Sequence, residues 1–216
     1  MYTVRNTFFL KRLVGALLLQ LIFGLNVQSA QAYRVYYFSN LSLKDGLSQL
    51  SVLKIYQDSK GYMWFGTRNG LNKYDGNKMV AYKHQNEDPL SLNDNHITTL
   101  VEDINNHCMW VGTARGLNRL DLRTDRITTY TGSDFKMLDS GVRTLFIDSR
   151  GRLWIGTSRG LGLYVRETNT FQMIDLNGRI KGVFVSSFIE TADNHFLIGT
   201  DSKGMFVCDQ NLKVID

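Results

Sequence analysis

One sequence pattern occurs four times along the chain, at intervals of 43 to 46 residues. The copies read WFGTRNGLNKYD, WVGTARGLNRLD, WIGTSRGLGLYV and LIGTDSKGMFVCD, and their shared glycine falls at Gly66, Gly112, Gly156 and Gly199. A fixed period in this range is typical of repeat architectures, because one unit cannot bury its apolar face alone and stacks on its neighbours. The repeat therefore limits the fold more than any single residue does.

Each copy predicts four short strands joined by tight turns. In the first unit, strand-forming residues occupy 52–57, 62–67, 71–74 and 79–82. In the third unit, they occupy 142–147, 153–157, 161–165 and 171–174. Asp, Asn and Gly separate these segments, as expected for turns. The sequence predicts an all-β protein, a β-propeller of four-stranded antiparallel blades, with four repeats present and hence a partial propeller.

The repeats also predict where each blade begins and ends. The blades are expected at about 50–82, 95–130, 140–174 and 180–216. The second unit has one extra turn residue between Asp103 and His107, and the fourth replaces the turn glycine with Asn194. Asn tolerates left-handed backbone better than most residues, so the fourth turn is expected to be kept.

A tryptophan opens three of the four copies. Trp64, Trp110 and Trp154 are predicted to pack between blades, because a large ring contributes strongly to burial between stacked sheets. The alternative is that these rings form stacking platforms for a sugar. The fourth copy has Leu197 in this position.

The first 32 residues have the features of a secretory signal peptide. They contain three basic residues and no acidic one, an apolar run at 13–25, and the small-x-small site Ala30-Gln31-Ala32. The apolar run is short for a membrane span. The prediction is cleavage before Tyr33 and export to the periplasm. The alternative is an N-terminal anchor that is not cleaved.

The charge of the chain argues against a nucleic-acid partner. The formal net charge is +5, but removing the first 32 residues leaves 22 basic against 20 acidic residues. A protein that binds the phosphate backbone needs a concentrated basic footprint. Cys108 and Cys208 occupy different positions in repeats that are two apart, so they are predicted to be free, buried or half-buried thiols.

The repeats show no constellation of catalytic or metal-binding residues. Asp58, Asp103 and Asp148 would suit a carboxylate ring, but each starts a tight turn, so a structural role is favoured. The four histidines fall at unrelated positions in the repeat. The sequence therefore predicts no catalytic residue, no metal and no cofactor, and the chain is predicted not to be an enzyme.

Two segments of the chain resemble a known family. Residues 46–75, GLSQLSVLKIYQDSKGYMWFGTRNGLNKYD, and residues 88–97, DPLSLNDNHI, are similar to the two-component regulator propeller family. The resemblance covers nearly all of residues 33–216. It implies the periplasmic sensor region of hybrid sensor histidine kinases of the Bacteroidetes type, which detect glycan fragments. It thus implies an oligosaccharide ligand, and as partner the remainder of a membrane sensor kinase anchored in the inner membrane.

The resemblance also implies a longer protein. Full sensors of this family carry two propellers, an immunoglobulin-like domain, a membrane helix and kinase domains, and their propellers close with seven blades. Here four blades are predicted, with residues 33–39 as the strand that closes the ring, so a truncated form is expected. A homodimer, a diguanylate cyclase output, a secreted propeller lyase or hydrolase, and a passive interaction scaffold remain open as alternatives.

The residue before each turn glycine is the candidate ligand-binding position. These residues are Asn69, Arg115, Arg159 and Lys203. In an up-and-down blade, the turn between the second and third strands lies at the same end as the connection to the next blade. The four side chains are therefore predicted to project from one face. A polar rim of this kind suits a hydroxyl-rich or acidic ligand; the alternative is that they are ordinary solvated turn residues.

Overall fold

The computed structural model describes residues 36–215, and the chain divides after Asn40 into two units. The predicted signal peptide therefore lies outside the described residues. In the described part of the first unit, residues 36–40 have no regular secondary structure. The strand predicted at 33–39 is thus absent from the part of it that the structure describes.

The second unit contains all fifteen strands of the described residues, arranged in four antiparallel sheets. The first blade consists of Val52–Gln57 (β1), Met63–Thr67 (β2), Gly70–Tyr74 (β3) and Met79–Tyr82 (β4). The second consists of Ile97–Asp103 (β5), Cys108–Thr113 (β6), Gly116–Asp121 (β7) and Ile127–Tyr130 (β8). The third consists of Val142–Ile147 (β9), Leu153–Thr157 (β10), Gly160–Val165 (β11) and Thr170–Ile174 (β12). The fourth consists of Val185–Glu190 (β13), Phe196–Thr200 (β14) and Met205–Cys208 (β15).

In the part of the chain that the structure describes, helical structure is confined to three short 3-10 helices. These helices are Leu43–Asp45, Ile104–Asn106 and Lys136–Ser140. Between residues 36 and 215 no α-helix occurs, in agreement with the predicted all-β fold.

Every sheet is a simple meander, in which each strand pairs with the next along the chain. The first strands of the blades lie next to one another, because β5 contacts both β1 and β9, and β9 also contacts β13. The sheets therefore stack with their first strands on the inside and their last strands on the outside. This arrangement confirms the predicted all-β propeller fold.

The glycine of the Gly-Thr pair allows neighbouring blades to approach closely. A Cβ atom at Gly66 would lie 2.7 Å from Ile97 Cγ2, and one at Gly112 would lie 2.8 Å from Val142 Cγ1. Both contacts are too short for a real Cβ atom, so a larger residue would push the next blade away. The repeated glycine thus sets the spacing between blades, while the β-branched residue at the start of the next first strand fills the space.

Three apolar clusters fill the spaces between the four sheets. Each combines the tryptophan side of one blade with the opposite side of the next. The first cluster contains Trp64 with residues of the second blade such as Leu100 and Val111. The second contains Trp110 with residues of the third blade, and the third contains Trp154 with residues of the fourth. Stability therefore resides mainly between blades, as expected for stacked repeats.

The fourth blade differs from the predicted four-stranded unit. Its sheet has three strands, and its outer position is reduced to an isolated bridge between Cys208 and Val214. The Asp209 side chain accepts hydrogen bonds from the backbone N–H groups of Asn211 and Lys213, both at 2.9 Å. This tight turn brings only the last described residues back to β15.

Candidate functional site

The turn between the second and third strands is held by a threonine hydroxyl in every blade, and in the fourth blade this turn is one residue longer. In the first blade, the Thr67 hydroxyl donates to the carbonyl of Gly70 at 2.8 Å and accepts from the backbone N–H of Asn69 at 3.0 Å. The glycine has a positive φ of 116°, which favours a residue without a side chain. The same Thr hydroxyl bonds recur at Thr113, Thr157 and Thr200.

The four candidate ligand-binding side chains are exposed, and each contacts the segment that leads into its own blade. Arg115 Nε forms an ion pair with Asp94 Oδ2 at 3.3 Å. The other three donate to backbone carbonyls: Asn69 to Ser48 at 3.5 Å, Arg159 to Lys136 at 3.5 Å, and Lys203 to Arg179 at 2.9 Å. Within residues 36–215, no hydrogen bond or ion pair joins any two of the four. The structure therefore gives each one an equivalent place in its blade without bringing them into mutual contact.

The connection between the first two blades forms a cleft on this end of the sheets. The cleft has a volume of about 460 Å³ and lies between residues 84–93 and Thr129 on β8. Ser91 fixes the backbone of this connection, because its hydroxyl donates to the carbonyl of Asp88 at 2.8 Å and accepts from the N–H of Gln85 at 2.9 Å. The fixed backbone leaves polar side chains, including Gln85 and Glu87, at the cleft.

Buried asparagines of the third strands hold the entry segments of the first two blades in place, a role that the candidate residues of the sequence did not include. Asn118 on β7 accepts from the backbone N–H of Asn93 at 2.9 Å and donates to the carbonyl of Val111 at 3.3 Å. Asn72 on β3 makes the equivalent contacts with Ser48 and Phe65. The signal was the repeated Gly-Leu-Asn of the first two copies. The third blade has Gly162 instead, and the Phe135 ring occupies the space beside it.

The three tryptophans lie in the spaces between blades and are at most 1% exposed. The indole N–H of Trp64 donates to Asp58 Oδ2 at 2.8 Å, and that of Trp154 donates to Asp148 Oδ2 at 2.9 Å. Trp110 Nε1 is buried without a hydrogen-bond partner. Rings this deeply buried offer no platform on which a sugar could stack.

The three aspartates that recur at the start of a turn are structural and do not form a ring of carboxylates. Asp58 Oδ1 accepts from the N–H groups of Lys60 and Tyr62, and Asp148 Oδ1 does the same for Arg150 and Arg152. Asp103 differs, because Arg166 Nη2 of the third blade donates to its Oδ2 at 2.7 Å. All three are 6% exposed or less.

A second cleft, of about 370 Å³, lies at the opposite end of the third blade. Its lining includes Arg150, Arg152, Arg166 and Glu167. Two of these arginines already pair with the buried carboxylates described above. The positive charge of this cleft is therefore largely compensated.

Burial raises the pKa of several side chains at the blade interfaces. It raises the pKa of the Cys108 thiol to about 11. It also raises the pKa of Tyr82, whose hydroxyl donates to Asp125 Oδ1 at 2.9 Å. Cys108 and Cys208 are both free and buried. A buried neutral thiol is a packing group and a poor nucleophile.

The described residues contain no group of three or more His, Cys, Asp or Glu side chains that could hold a metal ion. His84 Nδ1 lies 2.6 Å from the carbonyl of Leu92, and His195 Nδ1 lies 2.7 Å from Asp193 Oδ2. Both contacts are local, and they stabilise loops. Across residues 36–215, no helix has the length and apolar character needed to span a membrane.

The fold and its repeated turns define a β-propeller built from sequence repeats. A family model described as two component regulator propeller matches residues 46–69, 91–115 and 136–159. Each matched segment runs from the entry of a blade to the turn after its second strand. Each of the first three blades therefore contains one segment that is similar to this family's repeat.

One curated relative shares part of this sequence. A stretch of 55 residues is 47% identical to histidine kinase P4 of Formosa agariphila, and it covers 26% of this chain and 4% of that protein. The chain thus matches only a small part of that kinase.

Two solved structures share the fold at low sequence identity. PorZ is described as a surface component of the type-IX secretion system of Porphyromonas gingivalis; it has a TM-score of 0.54 and 14% identity, over 76% of this chain and 27% of that one. The extracellular domain of a putative hybrid two component system from B. thetaiotaomicron has a TM-score of 0.50 and 17% identity, over 76% and 27%. This chain spans about a quarter of either solved chain. At these identities the likeness shows the fold alone.

Proposed function

We propose that this chain is the ligand-sensing propeller of a two-component system, that it acts in the periplasm, and that it binds an oligosaccharide without altering it. The matched repeats and the partial identity to a histidine kinase support the sensing role. The signal passes to a membrane histidine kinase, so the chain itself needs no catalytic group.

The observation that carries the proposal is the repeated turn at one end of the blades. In each blade, the Thr hydroxyl and a glycine of positive φ hold the turn, and an exposed polar side chain projects from it. The cleft beside residues 84–93 lies at the same end and is lined by amide, carboxylate and hydroxyl groups. Hydroxyl-rich ligands are recognised by such fixed donors and acceptors.

The direct test is calorimetry of the full chain against a panel of neutral and acidic oligosaccharides. Arg115→Ala, Arg159→Ala and Lys203→Ala should each raise the Kd about tenfold, because a hydrogen bond to a charged group contributes about 1.5–3 kcal/mol. Lys60→Ala is the matched control, since Lys60 is exposed on a turn at the opposite end of the first blade. Unchanged affinity in all three variants would remove this face as the site.

Product analysis of the same mixtures tests the second part of the proposal. A sensor returns the oligosaccharide intact. Shortened or unsaturated sugar would instead identify a hydrolase or a lyase, and the sensing role would be abandoned.

Export is tested separately. N-terminal sequencing of the exported protein should give Tyr33 as the first residue, from the Ala30-Gln31-Ala32 site. Recovery of membrane-bound protein that retains Met1 would favour the uncleaved anchor.

A further inference from the structure

The chain contains two Asn-Gly pairs, and the structure places them in opposite environments. One is Asn69-Gly70 in the first blade, and the other is Asn177-Gly178 in the connection between the third and fourth blades. An asparagine that precedes glycine can lose its side-chain ammonia, because glycine has no Cβ atom to hinder attack by its own backbone nitrogen. The surroundings of that nitrogen therefore decide which of the two pairs reacts.

The backbone nitrogen of Gly70 is protected. Its N–H donates to the carbonyl of Asn95 at 2.8 Å. Gly70 is buried, and a Cβ atom there would lie 2.7 Å from the carbonyl oxygen of Tyr82. The Asn69 side-chain amide donates to the carbonyl of Ser48 at 3.5 Å, which holds it in the turn. This pair is therefore both hydrogen-bonded and crowded.

The backbone nitrogen of Gly178 is open. Asn177 and Gly178 are both exposed, and a Cβ atom at Gly178 would meet no atom within 4 Å. Among residues 36–215, the N–H of Gly178 has no hydrogen-bond acceptor. The flanking residues fix the loop, because the carbonyl of Asp175 accepts from the N–H groups of Arg179 and Ile180 at 3.1 and 3.4 Å. The Asn-Gly pair thus forms the exposed tip of a held loop.

The backbone of this tip is also strained. Leu176, Asn177 and Gly178 have φ values of 44°, 58° and 80°, so three successive residues are left-handed. Asn and Gly tolerate this region, whereas a bulky residue such as leucine rarely adopts it. Leu176 is held there by burial, since only 6% of it is exposed.

We propose that Asn177 is a deamidation site, at which the backbone nitrogen of Gly178 attacks the side-chain carbonyl carbon of Asn177. Water or hydroxide removes the proton of the Gly178 N–H, and the new C–N bond closes a succinimide ring. The side-chain nitrogen takes up a proton and leaves as ammonia. Water then opens the ring at either of its carbonyl groups, which gives aspartate or isoaspartate. The overall reaction consumes one water, releases one ammonia and needs no oxidant or reductant.

The product changes the end of the blades that carries the candidate ligand-binding side chains. It places a carboxylate, charged at neutral pH, in the connection that leads into the fourth blade. Two residues further on, the carbonyl of Arg179 accepts from Lys203 Nζ at 2.9 Å. Isoaspartate also adds one carbon atom to the backbone of a turn that is already strained. The reaction needs no ligand, so it does not depend on the proposed sensing function.

Mass spectrometry of the full chain, incubated at mildly alkaline pH and then digested with trypsin, measures both pairs in one sample. Cleavage at Lys and Arg places the first pair in residues 69–73 and the second in residues 167–179. Asn177 should be converted at least about tenfold faster than Asn69, because attack by the Gly70 nitrogen first requires its hydrogen bond to open. Fragmentation of the second peptide separates Asn177 from Asn169.

Unfolding the chain in urea is the matched control, because it removes the difference in structure and leaves two Asn-Gly pairs. Their rates should then become similar. Asn177→Gln should abolish the conversion at this position, since the longer side chain closes the ring far less readily, and circular dichroism should show that this exposed variant remains folded. In the folded wild type, no conversion at Asn177, equal rates at the two pairs, or a faster reaction at Asn69 would overturn the proposal.

Discussion

The middle interface of the protein, between the second and third blades, is held together differently from the interfaces on either side of it. In the outer two, a serine at a turn donates its N–H and hydroxyl to a glutamate of the next blade, at 2.6 to 2.8 Å. In the middle one, the corresponding positions are Ile104 and Ile147. There, Arg166 of the third blade donates to Asp103 of the second. The hydroxyl of Tyr130 in the second blade donates to Asn169 of the third, which also accepts from Tyr164.

The cause of the difference is local. The extra residue in the second turn forms a 3-10 helix, and Asp103 caps it by accepting from the N–H of Asn106 at 3.2 Å. Asp103 Oδ2 accepts from Arg166 instead of Trp110, whose indole N–H has no hydrogen-bond partner. The ring packs instead against Tyr164, with centroids 5.0 Å apart. Repeats with one fold can thus use different interactions, and a single inserted residue is enough to change them.

The largest effect is expected from removing a tryptophan that is buried, stacked on a neighbouring ring and hydrogen-bonded through its indole N–H. Trp154→Ala should lower the free energy of unfolding by about 3–5 kcal/mol, the loss typical of a fully buried large ring. Trp154 also stacks on Phe188 and donates to Asp148. Trp110→Ala should cost less, because its N–H has no partner. Urea unfolding of both variants measures the difference, and equal losses would show that the indole hydrogen bond contributes nothing.

Substitution by phenylalanine isolates the hydrogen bond. Trp64→Phe removes the only donor to Asp58 Oδ2 among residues 36–215, and an unpaired buried acceptor costs about 1–3 kcal/mol. Trp110→Phe removes a donor that has no acceptor, so only the change in volume remains. Chemical unfolding should therefore place Trp64→Phe below Trp110→Phe in stability. The reverse order would mean that the middle interface depends on its tryptophan more than the outer ones do.

Cys108 of the second blade should make the stability of the protein depend on pH in the alkaline range. The raised pKa of Cys108, about 11, means that the folded state holds the thiol proton more tightly than the unfolded state, where the pKa is about 8.5. This contribution is complete below about pH 8.5 and is lost as the pH rises towards 11. Cys108→Ala should therefore show a shallower loss of stability over this range. Thermal melting from pH 8 to pH 11 measures the slope, and parallel curves would contradict the assignment.

The smallest effects are expected at the turns. Thr157→Val removes the hydroxyl that donates to Gly160 and should cost about 0.5–1.5 kcal/mol. Arg159→Ala changes an exposed side chain and should shift stability by no more than about 0.5 kcal/mol. Comparison of the two by urea unfolding tests whether the turn is held by its threonine. A larger loss for Arg159→Ala would show that its contact with Lys136 is structural.

Much of the fold could be predicted because the repeat carries the information several times. The first strand of the first blade was predicted at 52–57 and is Val52–Gln57, and the first strand of the third blade was predicted at 142–147 and is Val142–Ile147. Alternating apolar residues and turn signals agree at these places, so local preference and packing point to one structure.

What the sequence did not predict depends on contacts between distant residues. The role of Asn118 depends on the backbone of Asn93, which is 25 residues earlier, and the repeated Gly-Leu-Asn marks the position without indicating this contact. The pairing of Asp103 with Arg166 spans 63 residues and follows from an inserted turn residue. The exposed position of the candidate side chains was inferred from topology, but their contacts with the entry segments required coordinates.

In the turn between the second and third strands, the residues that hold the backbone are different from the side chain that faces solvent. This separation allows the surface to diversify. The threonine hydroxyl bonds to the glycine carbonyl and to the backbone N–H of the residue before the glycine, whose side chain takes no part in these turn contacts. Asn, Arg, Arg and Lys occupy that place in the four blades, and the hydrogen bond from threonine to glycine is kept in each. Mutations there can alter which molecules the surface meets at almost no cost to folding. Each blade thus has one exposed position at which substitutions can accumulate independently of the rest of the fold.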